Sequence, residues 1–558
     1  MRQLTLQEIK QLEIQGCNAQ NWNSVLVHEG FQTNNVQHTT FGGHVEIGAD
    51  VCLDHVGIIE NYHLGDRTHI CRVNELVATH PWPKTFYEEG ITVGNEAGKV
   101  NIHFKPYHND KEDWLEIHYP NILRYNSNCI LKDLSTNNKI GEGCIIRNTG
   151  TIRNVLIGPN VSIEGAAELV EGELHNDCFI GTQVIARKFS IGPHTAVTDG
   201  AKLYHVITTR NCKIGKGFTA ENCYFGHHSE LFCGEACAVF AGPHTVSHHK
   251  STLLIGGEFS FYNAGSNTNQ SNHAYKLGPL HHGTLARGSK TASGCHILWP
   301  MQTAAFTMVM GKIKSHPVLT DLPFSYIIAE GEKTYVAPGI NIGTSGTFRD
   351  ALKWPKRGKD EFSYIGEYEL FSPFIMQQVL KGIEVLNKLK REQGNESEEY
   401  YYNGTFIRRS ALIRGLERYQ LALRLYAYKI KPTHEILEDA HEWQWIDIAG
   451  LPVAKHNLTE VCRLLKEADN QEKSKNVIKQ LNSLYILQAQ LWGSSILTHI
   501  WGEKFTNGEL LKESSQAIEE WKKLLKSDAQ KELLMGDVDS TVYSDFCQNL
   551  DQFCQEVL

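Results

Sequence analysis

The sequence predicts a parallel β-solenoid, a chain wound into stacked three-sided coils, followed by a helical region. Three observations predict it: a 17-residue repeat, aliphatic residues at steps of six, six and five within it, and an independent row of residues that tolerate left-handed backbone. A step of six fits neither the 3.6-residue period of a helix nor the two-residue period of a strand. It fits three short faces, each of which places one aliphatic side chain inside the coil.

The aliphatic positions follow this rhythm through much of the chain. They begin with Ile47, Leu53, Ile59, Leu64, Ile70 and Leu76, and they resume as Ile140, Ile146, Ile152, Ile157, Ile163, Leu169, Leu174, Ile180, Ala186, Ile191, Val197, Leu203, Thr208, Ile214, Ala220, Phe225, Leu231 and Cys237. Only Thr208 departs from the apolar rule. Coils stack at the strand spacing of about 4.8 Å, so each aliphatic should lie on its counterpart one coil away.

A second row of the repeat predicts the corners of the coils. The third residue after the first aliphatic of each coil belongs to a type that tolerates positive φ: Gly143, Asn160, Asp177, His194, Asn211 and His228. His244 falls in the same row. This row does not depend on the aliphatic positions, so it supports the repeat independently.

Composition divides the chain into five segments. A capping box at Thr5-Leu-Gln-Glu8 predicts a helix over 4–16. After about Asp360 the chain becomes long apolar-periodic segments rich in Leu, Glu, Lys and Gln, which predicts helices. The expected domains are an N-terminal helix and lead-in (1–24), first coils (25–76), an inserted β-rich lobe (77–138), the main β-helix (139–350) and a helical C-terminal domain (351–558).

Bulk properties exclude several classes of protein. The net charge of −9 argues against a broad nucleic-acid surface. The sequence contains no run of eighteen apolar residues, so no membrane span is predicted. The first residues lack the apolar core of a signal peptide. The fourteen cysteines form no paired CxxC set. Free thiols and a cytoplasmic location are therefore expected.

The hexads IGPNVS at 157–162 and IGPHTA at 191–196 resemble those of the hexapeptide-repeat superfamily. Its members fold as left-handed parallel β-helices, and this resemblance supplies the expected handedness. Within the superfamily, the chain resembles the UDP-N-acetylglucosamine acyltransferase-like proteins, as a bacterial branch with a helical C-terminal domain. The usual coil of the superfamily has eighteen residues, so the 17-residue coil is a departure.

The resemblance also implies an activity and its reactants. Hexapeptide-repeat acyltransferases use one loop histidine to deprotonate a sugar hydroxyl or amine. Their donor, usually coenzyme A or an acyl carrier, lies along the coils between subunits of a trimer. By this resemblance we expect acyl-CoA as donor, a sugar or sugar phosphate as the small-molecule ligand, a homo-oligomer, and no tightly bound cofactor.

The candidate active-site segment follows Ile255, where the regular step is lost. It is a polar stretch that contains SNHAYKLGPLHHGTLARGSK, residues 271–290. By the resemblance, His273 or His281 is the general base, and Lys276, Arg287 and Lys290 would meet a phosphate. The other predicted substrate-binding residues are Asn263, Asn267, Asn272 and His282. The alternative is an ordered Asn/Gly-rich turn followed by further coils.

A metal site is the weaker hypothesis. His244 and His249 have the H-x-x-x-x-H spacing of the carbonic-anhydrase branch of the superfamily, and His227 would complete an alternative zinc set. The corner rule already accounts for His244, and three protein ligands are expected at a catalytic zinc. We therefore predict no metal.

Three functions remain open at the level of the sequence. The first is an acyltransferase-like enzyme that acts on a sugar or sugar nucleotide. The second is a non-catalytic ligand-binding or assembly protein on the same scaffold, and the third is a zinc-dependent hydrase. The fold alone does not choose among them.

Overall fold

The computed structural model describes residues 1–79, 91–93, 102–104, 138–270, 282–430, 438–448, 450–467, 471–502, 505 and 509–556. They form a parallel β-solenoid and a helical region. The chain divides into two compact units. Unit 1 comprises Met1–Gly257, Lys276–His281 and Ala468–Gln471; unit 2 comprises Glu258–Tyr275, His282–Glu467 and Glu472–Leu558. The five segments expected from composition stay a prediction.

Most of the regular elements described in unit 1 are strands. Its described elements are helix α1 (Leu6–Ile14) and strands β1 (Arg2–Gln3), β2 (Asn18–Ala19), β3 (Val25–Val27), β4 (Val36–Gly42), β5 (Val45–Ile47), β6 (Cys52–Glu60), β7 (His63–Leu64), β8 (His69–Val77), β9 (Ile91–Val93), β10 (Ile102–Phe104), β11 (Lys139–Ile140), β12 (Ile145–Ile157), β13 (Ser162–Glu164), β14 (Glu168–Leu174), β15 (Phe179–Ile180), β16 (Ile185–Ile191), β17 (Ala196–Val197), β18 (Lys202–Thr208), β19 (Lys213–Gly215), β20 (Thr219–Phe225), β21 (Glu230–Phe232), β22 (Glu235–Cys237), β23 (Phe240–Ala241), β24 (Val246–Ser247) and β25 (Leu253–Ile255).

The aliphatic positions of unit 1 stack from coil to coil, as the repeat predicts. Parallel strands pair residues 17 positions apart and form three interior columns: Ile140, Ile157, Leu174, Ile191, Thr208 and Phe225; Ile146, Ile163, Ile180, Val197, Ile214 and Leu231; and Ile152, Leu169, Ala186, Leu203 and Ala220. Each of these side chains is at most 2% exposed. Burying one large aliphatic contributes about 1.5–3 kcal/mol, so the columns hold successive coils together.

One position of the series differs from the prediction. Ala236 pairs with Ala220, and Cys237 pairs with Glu221. The corner between β21 and β22 contains two residues, Cys233 and Gly234, whereas the corner between β19 and β20 contains three. One fewer corner residue shifts the register by one, so the prediction of Cys237 as an inward residue is wrong.

The predicted corner row adopts left-handed backbone throughout. The φ angles lie between 56° and 68° at Gly143, Asn160, Asp177, His194, Asn211, His228 and His244. Two further rows of positive φ mark the other corners, with members that include Asn148, Asn154, Glu171, Lys188, His205 and Asn222. Left-handed residues therefore occur at all three corners of the coil.

Several polar groups inside the coils have hydrogen-bond partners. Thr208, the exception to the apolar rule, accepts a hydrogen bond at Oγ1 from the Gly192 N–H over 3.0 Å. The thiols of Cys144, Cys178 and Cys212 each donate to the carbonyl of a glycine in the next corner over 3.1–3.2 Å. Burial raises the pKa of each of these three thiols to about 12. They are structural groups and not thiolate nucleophiles.

The N-terminal helix confirms the predicted capping box. The Thr5 side chain accepts from the Glu8 N–H, and the Glu8 carboxylate accepts from the Thr5 N–H. Arg2 donates two hydrogen bonds to the same carboxylate, at 2.7 and 2.9 Å. Mainly this arginine lowers the pKa of Glu8 to about 2.

The inserted lobe leaves the coils after β8 and returns at β11 without a change of register. Leu64 of β7 pairs with Ile140, and Leu76 of β8 pairs with Ile152. Between β8 and β11 the structure describes strands β9 and β10, which pair in antiparallel fashion, and the β-rich lobe itself stays a prediction. Strand β9 contacts β20.

Unit 2 combines further coils with helices. Strand β26 (Gly257–Phe259) spans the boundary, and the described elements that follow are β27 (Asn263–Ala264), β28 (Gly283–Leu285), β29 (Lys290–Thr291), β30 (Gln302–Thr303), β31 (Met308–Met310), β32 (Val318–Leu319), β33 (Tyr326–Glu330), β34 (Lys333–Ala337), α2 (Ser345–Gly358), α3 (Pro373–Gln393), β35 (Glu399–Tyr402), β36 (Thr405–Arg408), α4 (Arg409–Lys429), β37 (Trp445–Ile448), β38 (Leu451–Ala454), α5 (Leu458–Glu467), α6 (Gln471–Trp501), α7 (Glu509–Met535) and α8 (Ser540–Glu556). None of the helices among the described residues is long and apolar enough to cross a membrane.

Candidate functional site

The paired strands β27 and β29 of unit 2 are separated by more residues than the pairs that follow them. Asn263 of β27 pairs with Lys290 of β29, 27 residues later, whereas Lys290 pairs with Met308, 18 residues later. The extra length of about nine residues falls between β27 and β28, within the predicted candidate segment. His273 and His281, the predicted bases, lie outside the described residues, as do Asn272 and Lys276.

A buried hydrogen-bond network lies at the start of this longer coil. The Tyr262 hydroxyl and the Thr268 hydroxyl each contact Thr291 Oγ1, at 3.0 and 2.7 Å, and Gln270 Nε2 donates to the Tyr262 hydroxyl over 3.4 Å. All four side chains are at most 4% exposed. Burial raises the pKa of Tyr262 above its usual range. This network holds the chain where it enters the segment, while burial disfavours the ionised form of Tyr262.

The predicted asparagines and one histidine lie around the same coil. Asn263 is exposed in β27 beside Lys290, and Asn267 is an exposed corner residue with φ 59°. His282 is half-buried and directly precedes β28. The structure therefore brings Asn263 and Lys290 together, while the binding roles of all these residues stay predictions.

The two described cations of the predicted phosphate set have carboxylate partners within unit 2. Lys290 forms an ion pair with Asp350 of α2. Arg287 is 1% exposed, and its guanidinium lies 3.2 Å from Asp447 Oδ2 and 4.8 Å from the ring centroid of Phe261. Burial raises the pKa of Asp447, and the charge of Arg287 opposes that rise. These contacts give Arg287 a structural role; its contact with a phosphate stays a prediction.

The histidines of the alternative zinc set lie in unit 1. The rings of His227 and His244 are 5.8 Å apart, and both side chains are 3% exposed, whereas His249 is exposed. His228 stacks on His244 at 5.2 Å. Within the described part of the chain, no group of three or more His, Cys, Asp or Glu side chains is placed to hold a metal ion.

The sequence did not predict a buried polar arrangement in unit 1 that is formed by Glu173, His175 and Ser190. Glu173 Oε1 accepts a hydrogen bond from Ser190 Oγ over 2.5 Å and lies 2.9 Å from His175 Nε2. All three residues are at most 5% exposed. A signal was present in the sequence, because His175 occupies a position that is glycine in most coils.

The repeats, the corners and the lengthened coil together define a hexapeptide-type parallel β-solenoid with a helical region. The chain belongs to the family described as a domain of unknown function (DUF4954), whose model matches residues 1–50 and 44–390.

Two solved structures are similar at low identity. The crystal structure of UDP-N-acetylglucosamine O-acyltransferase from Moraxella catarrhalis RH4 has 12% identity and a TM-score of 0.14, and covers 68% of this chain and 91% of its own. The structure of the Francisella novicida UDP-N-acetylglucosamine acyltransferase has 11% identity and a TM-score of 0.10. The match covers 66% of this chain and 85% of the Francisella chain. At such values neither carries an argument about activity. A search of curated proteins finds no match.

Proposed function

We propose that this chain is a hexapeptide-repeat transferase that moves an acyl group from a coenzyme A thioester to a hydroxyl or amine of a sugar or sugar nucleotide. The observation that supports this most directly is the lengthened coil. Extra residues inserted into a stiff solenoid are a suitable place for chemistry, because the scaffold holds both ends of the segment. This segment also carries His273, Lys276 and His281.

The proposed reaction needs one base and no metal. His273 or His281 removes the proton from the acceptor hydroxyl or amine as its oxygen or nitrogen attacks the thioester carbonyl. The new carbon–oxygen or carbon–nitrogen bond forms while the carbon–sulfur bond breaks. The coenzyme A thiolate then takes the proton back from the imidazolium and leaves as the thiol.

The proposal also covers the residues that bind the substrates, the oligomeric state and the cellular compartment. Asn263, Asn267 and His282 would contact the sugar, and Lys276 and Lys290 would contact phosphate oxygens. The donor would lie between subunits of a homotrimer, so light scattering should give three times the chain mass of 62.9 kDa. The cysteines in the described part of the chain are free, which supports a reducing compartment such as the cytoplasm.

A non-catalytic ligand-binding or assembly role is the second candidate. The observation that favours it is the pairing of Arg287 with Asp447 and of Lys290 with Asp350. Two cations predicted to meet a ligand phosphate already neutralise carboxylates of this chain. In this case ligands would raise the melting temperature without any turnover.

Substitution of the loop histidines tests the proposal. Wild-type protein is assayed with acetyl-CoA and longer acyl-CoAs against N-acetylglucosamine and UDP-N-acetylglucosamine, with acylated product detected by mass spectrometry. His273→Gln or His281→Gln should lower turnover by about 100-fold or more and keep the melting temperature, because loss of a general base affects chemistry and not folding. His249→Gln, an exposed histidine outside the segment, is the control.

The outcomes separate the two candidates. Turnover that survives in both loop variants contradicts the assignment of the base. Wild-type protein that is stabilised by these ligands and forms no product supports the binding role instead.

A further inference from the structure

A cavity of about 420 Å³ lies in unit 2, at strand β35, the end of β36 and the start of helix α4. Its size is within the range of small-molecule binding sites. The residues that line it are mostly charged or polar: Glu398, Glu399, Arg408, Arg409, Ser410 and Ile413. None of these residues is assigned to the proposed acyl transfer, so the cavity concerns a separate function.

Three aromatic rings form a row on the strands beside this cavity. Tyr335 of β34 is the cross-strand neighbour of Phe406 of β36, and Phe406 is the cross-strand neighbour of Tyr401 of β35. The ring centroids are 6.0 and 5.6 Å apart along the row, and Tyr401 is 56% exposed. The row adjoins the cavity, because the Tyr335 hydroxyl donates to Glu399 over 2.7 Å and the Arg408 guanidinium lies 4.4 Å from the Tyr335 ring centroid.

The charges around the cavity are nearly balanced. Its two arginines and the neighbouring lysine each pair with a glutamate: Arg408 with Glu330, Arg409 with Glu396 and Lys333 with Glu399. A fourth carboxylate, Glu398, also lines the cavity. Three cations against four carboxylates do not favour a phosphate or a nucleic acid, which binds where positive charge is in excess. The balance favours a ligand without net charge.

The ion pairs at the cavity can yield to a ligand because they are exposed. The side chains of Arg408, Arg409 and Glu399 are 51%, 35% and 35% exposed. Exposed ion pairs contribute little to stability, so a ligand hydroxyl can compete for either partner. This distinguishes them from the pair of Arg287 and Asp447, which is almost fully buried.

We propose that the cavity and the aromatic row together bind a neutral carbohydrate chain. Sugar rings carry hydroxyl groups, which both donate and accept hydrogen bonds, and C–H groups, which pack on aromatic faces. In the cavity the Glu399 carboxylate accepts from sugar hydroxyls, and the guanidinium groups of Arg408 and Arg409 donate to them. The exposed ring of Tyr401 stacks against the next sugar. Because the row extends the contact beyond one sugar, an oligosaccharide binds more tightly than a monosaccharide.

Binding of glucose oligomers to the full-length protein tests this surface. Cellohexaose and maltohexaose are the probes, and isothermal titration calorimetry measures their Kd. At least one should bind with a Kd below about 1 mM, and glucose should bind more weakly. Arg408→Gln and Tyr401→Ala should each weaken that binding by about tenfold or more, because the first removes the charged donor and the second removes the stacking ring. Should either variant fail to fold, the other decides.

The matched controls are Tyr401→Phe, which keeps the ring, and Arg414→Gln, which removes an exposed arginine of α4 that does not line the cavity. Both should bind like the wild type. The loop variants His273→Gln and His281→Gln should also keep this binding, so failure of the proposed acyl transfer would not affect the result.

Three outcomes overturn the proposal. The first is that neither oligomer binds the wild type, or that glucose binds as tightly as both. The second is that Arg408→Gln and Tyr401→Ala bind as the wild type does, or that the loop-histidine variants lose the binding. The third is saturable binding of inorganic phosphate in place of the oligomers, which would indicate an anion site.

Discussion

At the scale of single residues, the ion pair of Arg287 and Asp447 carries the largest expected effect on stability. The guanidinium is 1% exposed and the carboxylate side chain 8%. Arg287→Ala would leave Asp447 buried without its partner, which should lower the free energy of unfolding by about 3–5 kcal/mol. Urea unfolding measures this. Arg187→Ala, which removes an exposed ion pair to Glu168, is the control and should change little. An unchanged midpoint for Arg287→Ala would contradict the assigned structural role.

Glu8 makes a residue-scale prediction about pH. Its pKa is lowered to about 2, mainly by Arg2, so the folded state favours the charged carboxylate. This contribution is fully present above the usual Glu pKa of 4.5 and is lost as the pH falls toward 2. Glu8→Gln should therefore cost about 1–2 kcal/mol at pH 7 and progressively less at lower pH. Urea midpoints at pH 7 and pH 3 measure the difference.

The control for Glu8 is Glu29→Gln. Glu29 also faces Arg2, but at 3.8 Å and with a side chain that is 76% exposed. Its substitution should have little effect at either pH. Equal losses for the two variants would show that the capping box and the close Arg2 contact do not stabilise the helix.

At the scale of the element, the coil depends on corners that accept left-handed backbone. Asn160 is an exposed corner residue with φ 56°. Asn160→Val should lower the free energy of unfolding by about 1–2 kcal/mol, because a β-branched residue is strained at positive φ. Asn160→Gly, which relieves that strain, should be neutral or nearly so. Chemical unfolding distinguishes them, and a valine variant as stable as the glycine variant would argue against a strained corner.

At the scale of the whole molecule, the cysteines should differ widely in reactivity. Cys144, Cys178 and Cys212 are buried, with pKa values raised to about 12, whereas Cys71, Cys233, Cys237 and Cys547 are partly exposed. Iodoacetamide at pH 8 should modify the second group of native protein well before the first, because the thiolate is the reactive form. Peptide mass spectrometry gives the order, and denatured protein, in which all thiols should react, is the control. Early modification of Cys178 would contradict the buried column.

Much of the fold could be predicted because the repeat is local. A 17-residue period, a capping box and residues suited to positive φ each depend on near neighbours in the chain. The register at Cys237 could not be predicted, because a corner of two residues and a corner of three both turn the chain. For the helical region, the apolar periodicity of the sequence predicted only that helices are present.

The candidate site was predictable in part. The polar segment after Ile255 was recognisable as a departure from the repeat, and Asn263 and Lys290 are paired in its longer coil. Arg287 looked like a ligand-binding cation because nothing in the sequence links it to Asp447, 160 residues away. The Glu173–His175 pair was missed because outward positions of a strand normally face solvent, and burial of this pair is a tertiary event.

The sequence by itself determined the coil: its period, its interior columns and its corner row, since each follows from side-chain volume and backbone preference repeated every 17 residues. The tertiary structure alone decided which outward side chains are buried. It buried Glu173 and enclosed Arg287 against Asp447, because burial depends on surfaces brought together from distant parts of the chain.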